Sequence, residues 1–147
     1  MSLRMLLLLT ICLGAIRLGG GIYEMLLVDP RWPSNVRLIQ PQHGGINRKH
    51  FWMLAHSAFE ICLVLAIWMA WQTAPARLYV LLALLADVAM RTWSFAYFIP
   101  AALKFESAET WTATLRSQAV AWTGLSKCRP LLDLLALILV AMAFWVA

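Results

Sequence analysis

Three pairs of ionisable side chains repeat one spacing: His56 with Glu60, Asp87 with Arg91, and Arg129 with Asp133 each stand four residues apart. On a helix that spacing puts both members of a pair on one face. Arg17 and Glu24, seven residues apart, share a face in the same way. A carboxylate or an imidazole beside a guanidinium, in apolar surroundings, is equipped for proton transfer. His56 or Glu60 would take a proton as general base, and Arg91 or Arg17 would stabilise the oxyanion that forms.

The surroundings are apolar. Of the 147 residues 63% are hydrophobic and only 13% are charged, and the mean hydropathy is +0.75. Soluble domains run near 45–50% apolar and about 25% charged, so a water-soluble globule, a disordered chain and a fibrous one are all excluded. The net charge of +5 does not point to nucleic acid, because most of the basic residues flank hydrophobic stretches, where they set topology. Cys12, Cys62 and Cys128 stand singly, with neither the spacing of a metal site nor that of a disulfide framework.

Spanning about 30 Å of hydrocarbon takes about 20 helical residues. Four segments qualify, at about residues 5–28, 51–71, 75–100 and 130–146. They predict an all-α, single-domain integral membrane protein, a four-helix transmembrane bundle covering residues 1–147. The first span should stop at Asp29-Pro30 and the third at Pro100, since proline removes a donor and disfavours helix before it. Its apolar start reads as a retained helix rather than a cleaved signal, for no small-x-small site follows. Trp111, Leu115, Ala119 and Trp122 recur at helical spacing and predict a helix over about residues 108–125 that lies at the membrane surface or leads into the fourth span. Arg31, Arg37, Arg48 and Lys49 in one loop, and Lys104, Arg116, Lys127 and Arg129 in the other, place both loops in the cytoplasm and both termini outside. Trp32, Trp52 and Trp122 would then form an inner aromatic belt, and Trp68, Trp71 and Trp145 an outer one. Trp93 falls well inside span three.

Depth follows from a rise of about 1.5 Å per residue: Arg17 lies about 16 Å from the inner end, Glu60 and Arg91 about 14 Å, and Asp87 about 20 Å. His56 falls at about 8 Å, Glu24 and Asp133 at about 5–6 Å, and Arg129 at the boundary. A charge at mid-bilayer costs about 2.5–3.5 kcal/mol even on the lenient insertion scale. These groups must therefore turn inward and pair, and Glu60, level with both Arg17 and Arg91, is expected at the centre of the network. An intramembrane cluster of this kind marks a substrate, proton or cofactor site by default, and buried ion pairs fixing helix register are the structural alternative. Gly14, Gly19, Gly20 and Gly21 interrupt the first span beside Arg17 and permit a close approach, either of a neighbouring helix or of a ligand.

Gly19-Gly20-Gly21-Ile22-Tyr23-Glu24, Val28-Asp29-Pro30-Arg31-Trp32 and Phe51-Trp52, with Arg91, Tyr97-Phe98-Ile99-Pro100, Trp122, Leu125-Ser126 and Arg129, carry a resemblance. The chain resembles a family of small four-helix membrane proteins of bacteria and fungi, mostly of unknown function, that includes anthrone oxygenase-like proteins. The resemblance runs over nearly the whole chain. It implies a four-helix bundle in a bacterial inner membrane and, for the named members, oxygenation of a polycyclic aromatic without an evident cofactor. Carried over by position, it implies that Tyr23, Glu24, Arg91, Tyr97, Trp122 and Arg129 line the pocket. His56 with Glu60 departs from the family pattern and weakens any transfer of substrate.

The leading expectation is a membrane enzyme acting on a lipophilic, aromatic small molecule by oxygenase-like or proton-transfer chemistry. His56, Glu60 and Arg91 are its catalytic candidates, and Arg17, Tyr23, Glu24, Asp87, Trp93, Tyr97, Trp122 and Arg129 its substrate-binding candidates. No cofactor is expected and no metal site is assigned, although Glu24, His56, Glu60 and Asp87 are ligand types suited to iron, manganese or zinc. The other reading, from a different class, is a non-catalytic accessory, scaffold or hydrophobic-ligand-binding protein whose buried charges are structural pairs. A cavity with polar groups free to meet a ligand would separate the two. Homo-oligomerisation stays open, and four spans without repeat symmetry are too few for a self-contained carrier that does not oligomerise.

Overall fold

The computed structural model describes residues 2–147, and all of its regular structure is helical. Helix α1 (Leu3–Tyr23) starts behind Ser2, whose hydroxyl accepts from the Met5 amide, and ends in a π turn over Glu24–Val28. Helix α2 spans Lys49–Met69. Helix α3 (Ala74–Trp93) opens with Pro75 in its first turn and passes through a second π turn, Ser94–Phe98, into α4 (Ile99–Glu106). Helix α5 (Ala113–Ser126) is capped by Thr112 and is followed, after two turn residues, by α6 (Arg129–Val146). Together these make four helical runs long and apolar enough to cross a membrane: Leu3–Val28, Lys49–Met69, Ala74–Glu106 and Ala113–Val146.

The four runs pack up-down-up-down, with α1 between α2 and α6, and α3 between α6 and α2. Small side chains set the seams. Ala76, Val80, Ala83 and Ala86 on α3 meet Ala136, Val140 and Ala143 on α6, all buried, at the three-and-four spacing that turns one stripe toward a partner. Such short side chains let two backbones approach closely, which replaces the missing hydrophobic drive between helices in lipid. Phe59, Leu63, Leu6 and Leu7 complete this core. Long apolar side chains on the outer faces, among them Leu8, Leu54, Leu85 and Leu131, are exposed, as a lipid-facing surface requires.

Gly14 belongs to these seams. A Cβ there would stand 3.0 Å from Phe59 and 3.1 Å from Leu137, whereas one on Gly19 would meet nothing within 4 Å. Gly14→Ala is therefore expected to destabilise by about 1–3 kcal/mol through overpacking. Gly19→Ala should be neutral or gain about 0.5–1 kcal/mol of helix stability. Thermal unfolding of both variants in one detergent checks the contrast, and equal midpoints would contradict it.

Three sequence expectations change here. Pro100 does not end the third span. It sits in the first turn of α4, where its missing donor is harmless, and the wider π register before it carries the helix on to Glu106. The helix expected at 108–125 begins at Ala113 instead and, of its two expected placements, takes the one that leads into α6 rather than the one at the membrane surface. Its stripe of Trp111, Leu115, Ala119 and Trp122 is covered by protein, packing on Trp32, Phe98 and Phe105. The inner tryptophan belt is likewise not a belt. Trp32 is fully buried and Trp122 nearly so. Trp68, Trp71 and Trp145 at the opposite end are exposed as expected.

The Trp32 cluster builds a small core at the loop end, and the long loop after α1 is tied down on it. The Gln40 amide donates to the Ala108 carbonyl at 2.8 Å, and Gly44, at φ +81°, makes the left-handed turn that brings the chain back. Asp29 accepts from the Trp32 indole at 3.1 Å and from the Ser126 hydroxyl at 3.1 Å. Burial nevertheless raises its carboxyl above the ordinary 3.8, against those two hydrogen bonds. A raised folded-state value means that folding takes up a proton. Asp29's contribution is fully present below 3.8 and is lost as pH rises through the folded-state value. Asp29→Asn is expected to flatten the fall in unfolding midpoint between acidic and neutral pH, and an unchanged slope would contradict this.

Candidate functional site

Each of the four membrane runs contributes one ionisable side chain to a buried knot centred on Arg17. Gly14, one turn earlier, lets α1 approach α2 and α6. The Arg17 guanidinium donates to Asp87 on α3 and reaches Asp133 on α6 at 2.9 Å. It lies 4.1 Å over the Phe59 ring and 3.5 Å from His56 Nδ1, both on α2. Arg17, His56 and Asp87 are almost wholly shielded and Asp133 nearly so. The expected convergence is present, but Arg17 is its centre and Glu60 is not. Four residues advance a helix by about 40° beyond one full turn, which swings Glu60 off the His56 direction and onto the α2–α3 seam. There Arg91 Nε holds it at 2.7 Å, both side chains being partly exposed.

His56 connects the knot to an open space. A guanidinium can only donate, so Nδ1, 3.5 Å from Arg17, can meet it only as an acceptor, an arrangement that would leave the ring proton on Nε2. His56 also stacks on Trp52 at 5.4 Å. Both rings line a cavity of about 400 Å³ bounded by α2, the second π turn and α4. Phe95, Phe98 and Ile99 supply much of its apolar wall, and Arg91 and Arg129 both line it. Its loop end is closed by a clasp of charges. Arg48 stands 3.1 Å from Glu106 and 4.0 Å from Glu24, Lys49 lies 3.5 Å from Glu106, and the Trp52 indole donates to Glu24 at 3.0 Å.

Among the sequence candidates, His56, Arg91, Glu24, Trp122 and Arg129 line this cavity. Glu60 stands behind Arg91, and Arg17 and Asp87 are sealed within the knot. Trp93 and Tyr97 pack edge-on against Phe98 from outside the cavity wall. Tyr23 lines a second groove of about 460 Å³ beside Gly19 and Gly20, mainly apolar, which shares Glu24, Arg48 and Trp52 with the cavity. Sequence reasoning missed Arg48, Lys49 and Glu106 as wall residues, having assigned the two cations to topology. It also paired Arg129 with Asp133, whereas Arg17 takes Asp133 instead.

His56, Glu60 and Asp87 each offer a ligand atom within 4.8 Å of the others, a group able by geometry to hold a metal ion. Two guanidiniums already stand where a cation's charge would be felt: Arg17 on Asp87 and against His56, and Arg91 on Glu60. Fold and site together define a multi-pass, all-helical membrane protein with a charged knot and an amphipathic cavity side by side. The chain matches no protein-family model, no curated protein and no solved structure.

Proposed function

We propose that the protein is a membrane-embedded enzyme that binds a lipophilic aromatic molecule in the cavity between α2 and α4 and removes a weakly acidic proton from it. The observation that carries this reading is the cavity itself, whose apolar and aromatic walls hold the His56 imidazole and the Arg91 guanidinium. Ligand sites are mostly apolar concavities of roughly this size with a few convergent polar groups. Glu60 is the proposed base; it stands behind Arg91 rather than in the cavity wall, so the substrate meets it when the Arg91 guanidinium turns from the carboxylate to the oxyanion. The proton moves from substrate to the Glu60 carboxylate, and the electron pair left behind becomes an enolate. Arg91 and the His56 Nε2–H stabilise that charge.

The resemblance to anthrone oxygenase-like proteins suggests the rest. An anthrone carbanion is electron-rich enough to react with dioxygen, giving the quinone and water. The loop-end charges Arg31, Arg37, Lys104, Arg116 and Lys127 favour a cytoplasmic placement of that end, with both termini outside a bacterial inner membrane. Dioxygen uptake by purified protein supplied with an anthrone tests the reading, with Glu60→Gln as the decisive variant. Saturable binding without turnover would instead favour a ligand-binding protein, the reading that the closed Arg17 knot supports, because its ion pairs need no substrate.

A further inference from the structure

Four cations line the cavity, and three of them are matched. Arg91 holds Glu60, Arg48 lies between Glu24 and Glu106, and Lys49 also reaches Glu106. Arg129 is the exception. Among the described residues no carboxylate lies within 4.0 Å of it, which sets it apart from the other three; its Nε, like that of Arg48, is buried with no hydrogen-bond partner. Every acid nearby is otherwise engaged. Asp133, which helical spacing offers to Arg129, is taken by Arg17. Glu24 accepts from Trp52, and Asp29 accepts from Trp32 and Ser126. Arg129 instead lies over the Phe98 ring at 5.1 Å, at the end of the cavity wall that Phe98 and Trp122 form. Ion pairing is the general condition for a buried charge, and the partner that this one lacks can enter through the cavity.

We infer that Arg129 anchors the oxyanion of an amphiphilic ligand, a carboxylate, phenolate or phosphate monoester. The ligand's apolar body runs past Phe98 toward Phe95, Ile99 and Met53. The last three are exposed at the cavity's edge and would face acyl chains, so the body would enter sideways from the bilayer. This inference rests on the cavity being a ligand site and deepens that reading by naming the substrate's head group. An aromatic acid and the head group of an anionic lipid share this chemistry. The aromatic walls fit the former, and competition separates the two.

The probes are anthracene carboxylate and its uncharged methyl ester, titrated into detergent-solubilised protein, with quenching of tryptophan fluorescence as readout, since Trp52 and Trp122 line the cavity. The acid is expected to bind about tenfold or more tighter than the ester, the scale of one charge-assisted hydrogen bond. Arg129→Gln should abolish that preference while leaving ester affinity unchanged, and Arg129→Lys should keep part of it. An unchanged thermal midpoint in Arg129→Lys shows that the effect is not misfolding. Displacement of the acid by dioleoyl phosphatidic acid would assign the site to lipid head groups. Failure of that lipid to displace it would assign the site to free acids. Equal affinity for acid and ester, an undiminished preference in Arg129→Gln, or no saturable binding of the acid overturns the inference. Continued turnover of an anthrone in those cases would leave the catalytic reading standing.

Discussion

Arg17→Leu is expected to cost about 3–5 kcal/mol, the cost of breaking a buried ion pair from one side. That is a large part of the 5–15 kcal/mol that a domain commonly has, so this variant should be recovered largely unfolded. The size follows from what is left behind: Asp87 on α3 and Asp133 on α6 would face each other's charge with no cation between them. Replacing all three together, Arg17→Leu with Asp87→Asn and Asp133→Asn, should restore much of the loss, because polar amides replace orphaned charges. Recovery from membranes and the thermal midpoint in detergent measure both effects. A stable single variant would mean that the knot does not hold the helices in register. A triple variant no better than the single one would mean that Arg17 acts through packing against Phe59 instead.

Glu60→Gln carries the largest expected effect on chemistry, a loss of about 100-fold or more in turnover of an anthrone, the range a general base contributes. Its cost in stability should be smaller than that of Arg17→Leu, because the Gln carbonyl keeps a hydrogen-bond acceptor for Arg91 in this partly exposed pair. The two variants thus separate the two halves of the interior. Arg17 holds the bundle and Glu60 works on the substrate. Unchanged turnover in Glu60→Gln, with the protein folded, would remove the base from the mechanism.

Much of the fold was legible because lipid leaves few choices. Apolar runs of sufficient length had to be spans, and the charges inside them had to turn inward. One side chain from each run does so: Arg17, His56, Asp87 and Asp133. Which charge sits at the centre depended on helix rotation and on the close approach at Gly14, and equal depth alone singled out Glu60 wrongly. Pro100 misled for a local reason, since the π turn before it is a matter of hydrogen-bond register that residue types do not reveal. Arg48 and Glu106 stayed hidden because they lie 58 residues apart at two helix ends, and only the extension of α4 past Pro100 brings them together. Trp32 and Trp122 read as a belt because tryptophans near a span end usually form one. Here a second small core at the loop end takes them in.

The most direct measurement is a structure of the protein with an anthrone-type ligand bound. The ligand is expected between α2 and α4, its oxygen within hydrogen-bonding reach of His56 Nε2 or Arg91 and its rings against Phe98. A ligand seated instead in the second groove beside Gly19 and Tyr23, or a cavity that stays closed to every such compound at saturating concentration, would contradict the account.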